Sequence, residues 1–149
     1  MEASRFIKTI NKIFFGISVI ILLIVLDSCA TNVKFLTSSV VPAARGTVKV
    51  KMDKNKNYAI DLTLSDLAEV SRLEPSKSTY IVWMVTNQEI TKNIGQLNSS
   101  KGFMSKRLKG SFKTVSSDKP TKIYITAEND PNIQYPGNMV VLTTDTFRP

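Results

Sequence analysis

An all-β fold of two packed antiparallel sheets is predicted for this 149-residue chain by three features of its sequence. From residue 46 onward apolar residues recur with period two, the runs are short, and clusters of polar turn residues separate them. Val48, Val50 and Met52 share one face of the first run while Thr47, Lys49 and Lys51 share the other, the pattern of a half-buried strand with a wet side. Residues 53–57 supply polar turn residues, after which Tyr58, Ile60, Leu62 and Leu64 alternate with Ala59, Asp61 and Thr63. The two runs are expected to pair as an antiparallel hairpin. Residues 67–73 are expected to connect strands as a loop. Asp66 and Glu69 offer a capping box for one helical turn there, but Pro75 stops any helix soon after.

Tyr80-Ile81-Val82-Trp83-Met84-Val85 is continuously apolar, which predicts a central strand covered on both sides with Trp83 as its core anchor. Shorter strands are expected at residues 93–97, at 106–115 with Leu108, Gly110 and Phe112 on one face, at 122–128 with Ile123, Ile125 and Ala127 inward, and at 139–143. Seven short strands in about a hundred residues predict an immunoglobulin-like antiparallel β-sandwich over residues 45–149. A small closed barrel is the alternative. The chain has one cysteine, so the inter-sheet disulfide of antibody domains is excluded.

The N-terminus reads as a targeting segment. Arg5, Lys8 and Lys12 make a positive region, and Ile13 to Leu26 is an apolar run without a charge. Fourteen residues give roughly 21 Å of helix against a hydrocarbon core of about 30 Å, so a signal-peptide helix over residues 1–28 fits better than a permanent span. A short uncleaved helix extended by Phe6 and Ile7 and accommodated by tilt is the alternative. Leu26-Asp27-Ser28-Cys29 resembles the lipobox of bacterial lipoproteins, although an uncharged residue is usual where Asp27 stands. The resemblance implies that Cys29 receives a diacylglycerol and becomes the first mature residue, and that membrane lipid is a partner through the acylated thiol. It also implies a cell-envelope location facing the periplasm or the cell surface. Ala30 after the cysteine, rather than aspartate, inclines this toward the outer membrane. Residues 29–44 show no sustained period and are expected to form a flexible tether, with a reach of up to roughly 50 Å, and much less if Val33 to Leu36 or Val40-Val41 pack onto the domain.

From Cys29 onward seventeen Lys and Arg stand against ten Asp and Glu. Nucleic acid is not an expected partner of a domain held outside the cytoplasm, which leaves anionic lipid, an anionic glycan or an acidic envelope protein. Solvated lysines that blunt strand edges are the plainer reading. The densest basic stretch is Lys101, Lys106, Arg107, Lys109 and Lys113, with Phe103 and Phe112 nearby. On alternating strand positions Lys109 and Lys113 face outward together, so Lys106, Arg107, Lys109 and Lys113 are the candidate contact for an anionic partner.

Histidine is absent, which removes Ser-His-Asp and Cys-His catalysis and histidine zinc sites. Asp53, Asn55 and Asn57 match the first half of a calcium loop, but Tyr58 and Leu64 occupy its glycine and glutamate positions, so a hairpin turn is expected. Glu128, Asn129, Asp130 and Asn132 cluster in one segment, where a turn stabilised by side-chain hydrogen bonds and Pro131 is expected over a cation site. No two carboxylates are paired as acid and base. No catalytic residue, metal or cofactor is therefore expected, and a monomeric, non-catalytic structural or interaction module is the leading functional expectation.

Tyr80-Ile81-Val82-Trp83-Met84, Ile94-Gly95, Ile123-Tyr124-Ile125-Thr126-Ala127-Glu128, Tyr135-Pro136-Gly137 and Met139-Val140-Val141-Leu142 together resemble the extracytoplasmic C-terminal domain of anti-sigma-K factors. The resemblance covers about residues 46–144 and implies a β-sandwich outside the membrane. Asn129-Asp130-Pro131-Asn132 replaces the glycine pair common in that family, and the twelve residues ahead of Ile13 hold no sigma-binding helical domain or zinc motif. A sensory or regulatory domain of an anti-sigma-type system, without the sigma-binding part, is accordingly the alternative functional expectation.

Overall fold

The alternating runs become nine strands in the computed structural model, which describes residues 30–101 and 108–149, with only the backbone of Ser100 and Lys101. In chain order they are β1 (Ala30–Lys34), β2 (Arg45–Met52), β3 (Tyr58–Leu67), β4 (Thr79–Thr86), β5 (Thr91–Gln96), β6 (Asn98–Lys101), β7 (Leu108–Ser116), β8 (Pro120–Glu128) and β9 (Val140–Thr143). They form a five-stranded sheet in the order β1-β2-β3-β7-β6 and a four-stranded sheet in the order β5-β4-β8-β9, with antiparallel neighbours throughout. With β2 taken as strand A, the orders become A-B-E-D and C′-C-F-G, the arrangement of an immunoglobulin-type sandwich. The expected signal-peptide helix over residues 1–28, together with Cys29, lies outside the described residues.

The core lies between the sheets. Val48, Val50, Ile60, Leu62, Leu64 and Phe112 from the first sheet meet Tyr80, Val82, Met84, Ile123, Ile125 and Leu142 from the second. Full burial of each aliphatic side chain contributes about 1.5–3 kcal/mol by area, which is how a sandwich without a disulfide holds its sheets together. Leu62 and Ile125, on the two strands that antibody domains cross-link, are both fully buried. Near the end of β3 the register shifts between Leu64 and Leu67, with Asp66 at a φ of 58°. Strict alternation would put these two leucines on opposite faces, and the bulge lets both face the core. In β5, Gly95 has a φ of 136°, and a Cβ there would lie 2.9 Å from the Phe112 ring, so no side chain fits.

Two strands exceed the expected seven, and one of them overturns the tether. Ala30–Lys34 pairs with β2 as an edge strand, with Thr31 opposite Val50 and Val33 opposite Val48. Val33 and Phe35 pack on the core, Phe35 bridges Thr144, and the Leu36 N–H donates to the Thr143 carbonyl. Val41 and Ala44 are buried further along. Residues 30–44 thus belong to the sandwich, spanning from the edge of one sheet to the edge of the other. Two apolar residues at alternate positions are too few to signal a strand in the sequence. The other extra strand, β6, carries no apolar face and exists through its backbone ladder with β7. The expected loop at residues 67–73 contains a single 3-10 turn, Val70–Arg72.

Candidate functional site

The outer face of the five-stranded sheet is a grid of lysines and hydroxyls. Outward positions hold Lys34 on β1, Arg45, Lys49 and Lys51 on β2, and Lys109 and Lys113 on β7, all exposed. Thr47, Thr63 and Ser111 lie opposite one another across β2, β3 and β7 and separate the charges. Asp61 interrupts the cations, sitting opposite both Lys49 and Lys113, and its Oδ2 is 2.7 Å from the Lys113 Nζ. Lys109 and Lys113 therefore share a face, as their spacing predicts. Lys106, Arg107 and Phe103 lie outside the described residues, and of Lys101 only the backbone is described. Lys34, Arg45, Lys49 and Lys51 were not among the candidate contacts. The alternation of β2 already placed Lys49 and Lys51 on a wet face, but only strand order brings that face beside β7 through β3.

The outer face of the four-stranded sheet is the opposite in character. Ile81 and Trp83 are fully buried but stand outside the inter-sheet core. Val82 and Met84 point to that core opposite Ile125 and Ile123, so alternation sends Trp83 the other way. Trp83 is fully buried, as expected of a core anchor on a doubly covered strand, and the structure adds the side on which it packs. A run apolar at every position does not reveal which parity faces inward. Trp83 anchors a second, outer layer. Its indole Nε1–H donates to Thr126 Oγ1 at 2.7 Å, and its ring stacks on Tyr124 at 6.3 Å between centroids and 15° between planes.

The segment 129–139 is held over this face at two points. The Asn93 side-chain amide donates to the carbonyls of Pro131 and Ile133, at 3.1 and 3.0 Å. Farther back, the Gly137 N–H donates to Glu128 Oε1 at 2.7 Å. A Cβ at residue 137 would come within 2.7 Å of the other carboxylate oxygen, so glycine is needed for the approach. Glu128 is only 4% exposed, which removes it from the candidate cation cluster. Asp130 turns to its own loop and accepts from the Asn132 N–H. The two carboxylates do not converge. Among the described residues no group of three His, Cys, Asp or Glu is placed to hold a metal ion. Asp53 accepts from the N–H groups of Asn55 and Asn57, giving the expected hairpin turn.

Between β5 and this segment lies an open cleft of about 760 Å³, lined by Thr91, Asn93, Gly95, Pro131 and Gln134 among others. It offers amides, a hydroxyl and Lys92 but no carboxylate. Two phenols are perturbed. Burial pushes Tyr80 up to about 12, and its hydroxyl donates to the Ala68 carbonyl. Tyr124 is also raised by burial, opposed by its hydrogen bond with Thr91 and reinforced by the Glu128 charge. Thr79, directly opposite Glu128 on β8, has a buried hydroxyl with no partner.

The residues that carry the resemblance to the anti-sigma-K domain all fall on the four-stranded sheet and its covering segment. No protein-family model, curated protein or solved structure matches the chain.

Proposed function

We propose that this protein is a lipid-anchored lipoprotein of the cell envelope whose β-sandwich serves as a non-catalytic interaction or structural module. The observation that carries the reading is the place of Cys29. It closes Leu26-Asp27-Ser28-Cys29 directly after the uncharged apolar run, and it stands one residue ahead of the first strand. Cleavage before Cys29 retains every strand of the described residues in the mature chain. Two or three acyl chains, at about 0.8 kcal/mol per buried CH₂, hold such a domain firmly where a single chain holds it weakly. The corresponding location is the periplasm or the cell surface, with the outer membrane preferred. The cationic outer face of the five-stranded sheet is where an anionic partner would bind. Mass spectrometry of the mature N-terminus, with a Cys29→Ala variant alongside, tests the reading. An acylated Cys29 peptide and loss of membrane retention in the variant are expected. An intact Met1 peptide at full abundance overturns it.

A further inference from the structure

We propose that the outward face of the five-stranded sheet is a bilayer-contact surface, and that the domain lies with this face on anionic phospholipid headgroups. The inference rests on the reading of Cys29 as the lipid anchor and adds an orientation and a lipid preference to it.

Three observations carry it. First, no spacer separates anchor from sheet. Ala30 already stands in the ladder opposite Lys51, so an acylated Cys29 is one peptide step, about 3.8 Å, from the edge strand. That keeps the sheet edge within the roughly 8–10 Å over which charge attraction survives physiological salt. Second, Ala30, the residue bonded to Cys29, stands at a corner of this same face. Ala30 shares its outward row with Lys51, Ala59 and Val115, and Val115 is 63% exposed, an apolar side chain among lysines. Third, the face matches a headgroup layer in charge. Among the described residues, six exposed cations stand against one carboxylate, Asp61, in the paired outward positions, and hydroxyls lie between them as phosphate donors. The outer face of the other sheet offers no such row of cations, with Lys122 alone among the outward positions of β8, and residues 129–139 fold over part of it.

The test uses the full chain reconstituted into vesicles of phosphatidylcholine alone or of phosphatidylcholine mixed with phosphatidylglycerol. Lysines are labelled with a membrane-impermeant amine reagent and read by peptide mass spectrometry. Lys49, Lys51 and Lys109 are expected to label at least about threefold more slowly on the anionic vesicles, while Lys77 and Lys122 label equally on both. Combining Lys49→Gln, Lys51→Gln and Lys109→Gln should lower the affinity of the chain for anionic vesicles at least about tenfold, with an unchanged melting temperature. Equal labelling of the three lysines on both vesicle types overturns the proposal. So does protection by a soluble sulfated polysaccharide without protection by anionic vesicles, which would assign the face to a glycan. The anchor reading fails separately, through an unmodified Cys29 peptide. Sedimentation of that unacylated chain with anionic vesicles then still decides the face: salt-sensitive binding lost in the triple variant supports it, and no binding refutes it.

Discussion

The two sheets of this sandwich present outer faces built by the same alternation and put to opposite ends. On the five-stranded sheet the outward positions of β2 and β7 are Lys, Arg, Thr and Ser, with Val115 as the apolar exception, and they stay in water. On the four-stranded sheet the outward positions of β4 are Thr79, Ile81, Trp83 and Val85, of which the first three are buried and the last half-buried. The difference lies in residues 129–139, which cross from β8 toward β5 and return, fastened at Asn93 and Glu128. An amphipathic strand can leave its polar side in water, whereas a strand that is apolar on both sides needs a cover on the second, so a continuous apolar run is also a statement about a loop far from it in sequence. The comparison separates a face free to meet a partner from one committed to stability.

The sharpest way to break this division is to remove the residue that fills the covered face. Trp83→Ala should cost roughly 3–5 kcal/mol, a large share of the stability of so small a domain, whereas Lys49→Ala should change it by less than about 0.5 kcal/mol. Equal melting temperatures for the two variants would erase the distinction between the faces. A finer cut is Gly137→Ala, which drives a methyl into the Glu128 carboxylate and should lift the covering segment at one of its two fastenings. A loss of about 1–3 kcal/mol with a red shift of Trp83 fluorescence is expected. Unshifted emission would show that the cover is not held there.

The buried phenol of Tyr80 probes the core between the faces. Its pKa is raised from 10.0 to about 12, so the folded state favours the protonated form. The contribution is fully present below pH 10 and is lost as the pH rises from 10 toward 12. Alkaline melting curves should therefore fall over that window, and Tyr80→Phe should flatten the fall. Identical curves for both chains would place the alkaline loss elsewhere. The smallest effect is expected on the open face. A double-mutant cycle on Asp61 and Lys113 should return a coupling of about 0.2–1 kcal/mol that fades with salt, as exposed pairs do.

Much of the architecture was legible because strand alternation is a local signal. The β2–β3 hairpin, the doubly covered β4 and the inward residues of β8 each follow from which neighbours two positions apart are apolar. The strands that escaped notice lack that signal. β1 shows only Thr31 and Val33 toward the core, and β6 is held by backbone bonds alone. The candidate contact was legible in part. Lys109 and Lys113 were found because they sit on one strand, whereas Lys34, Lys49 and Lys51 join them only through β3, which is contributed from elsewhere in the chain. Trp83 was rightly expected to be buried, and the side on which it packs was not legible, since its burial is recorded in its own run and its direction is not.

The sequence by itself determined that this chain alternates into strands, that it lacks histidine and a second cysteine, and that an apolar run ends at Leu26, three residues before Cys29. Only the tertiary structure decided which parity of β4 faces the partner sheet, which lysines gather on one surface, and that residues 30–34 form a strand rather than a tether. Periodicity is fixed by the geometry of a single extended chain, but direction, neighbourhood and cover are properties of strand order, and strand order is set by contacts between segments distant in sequence.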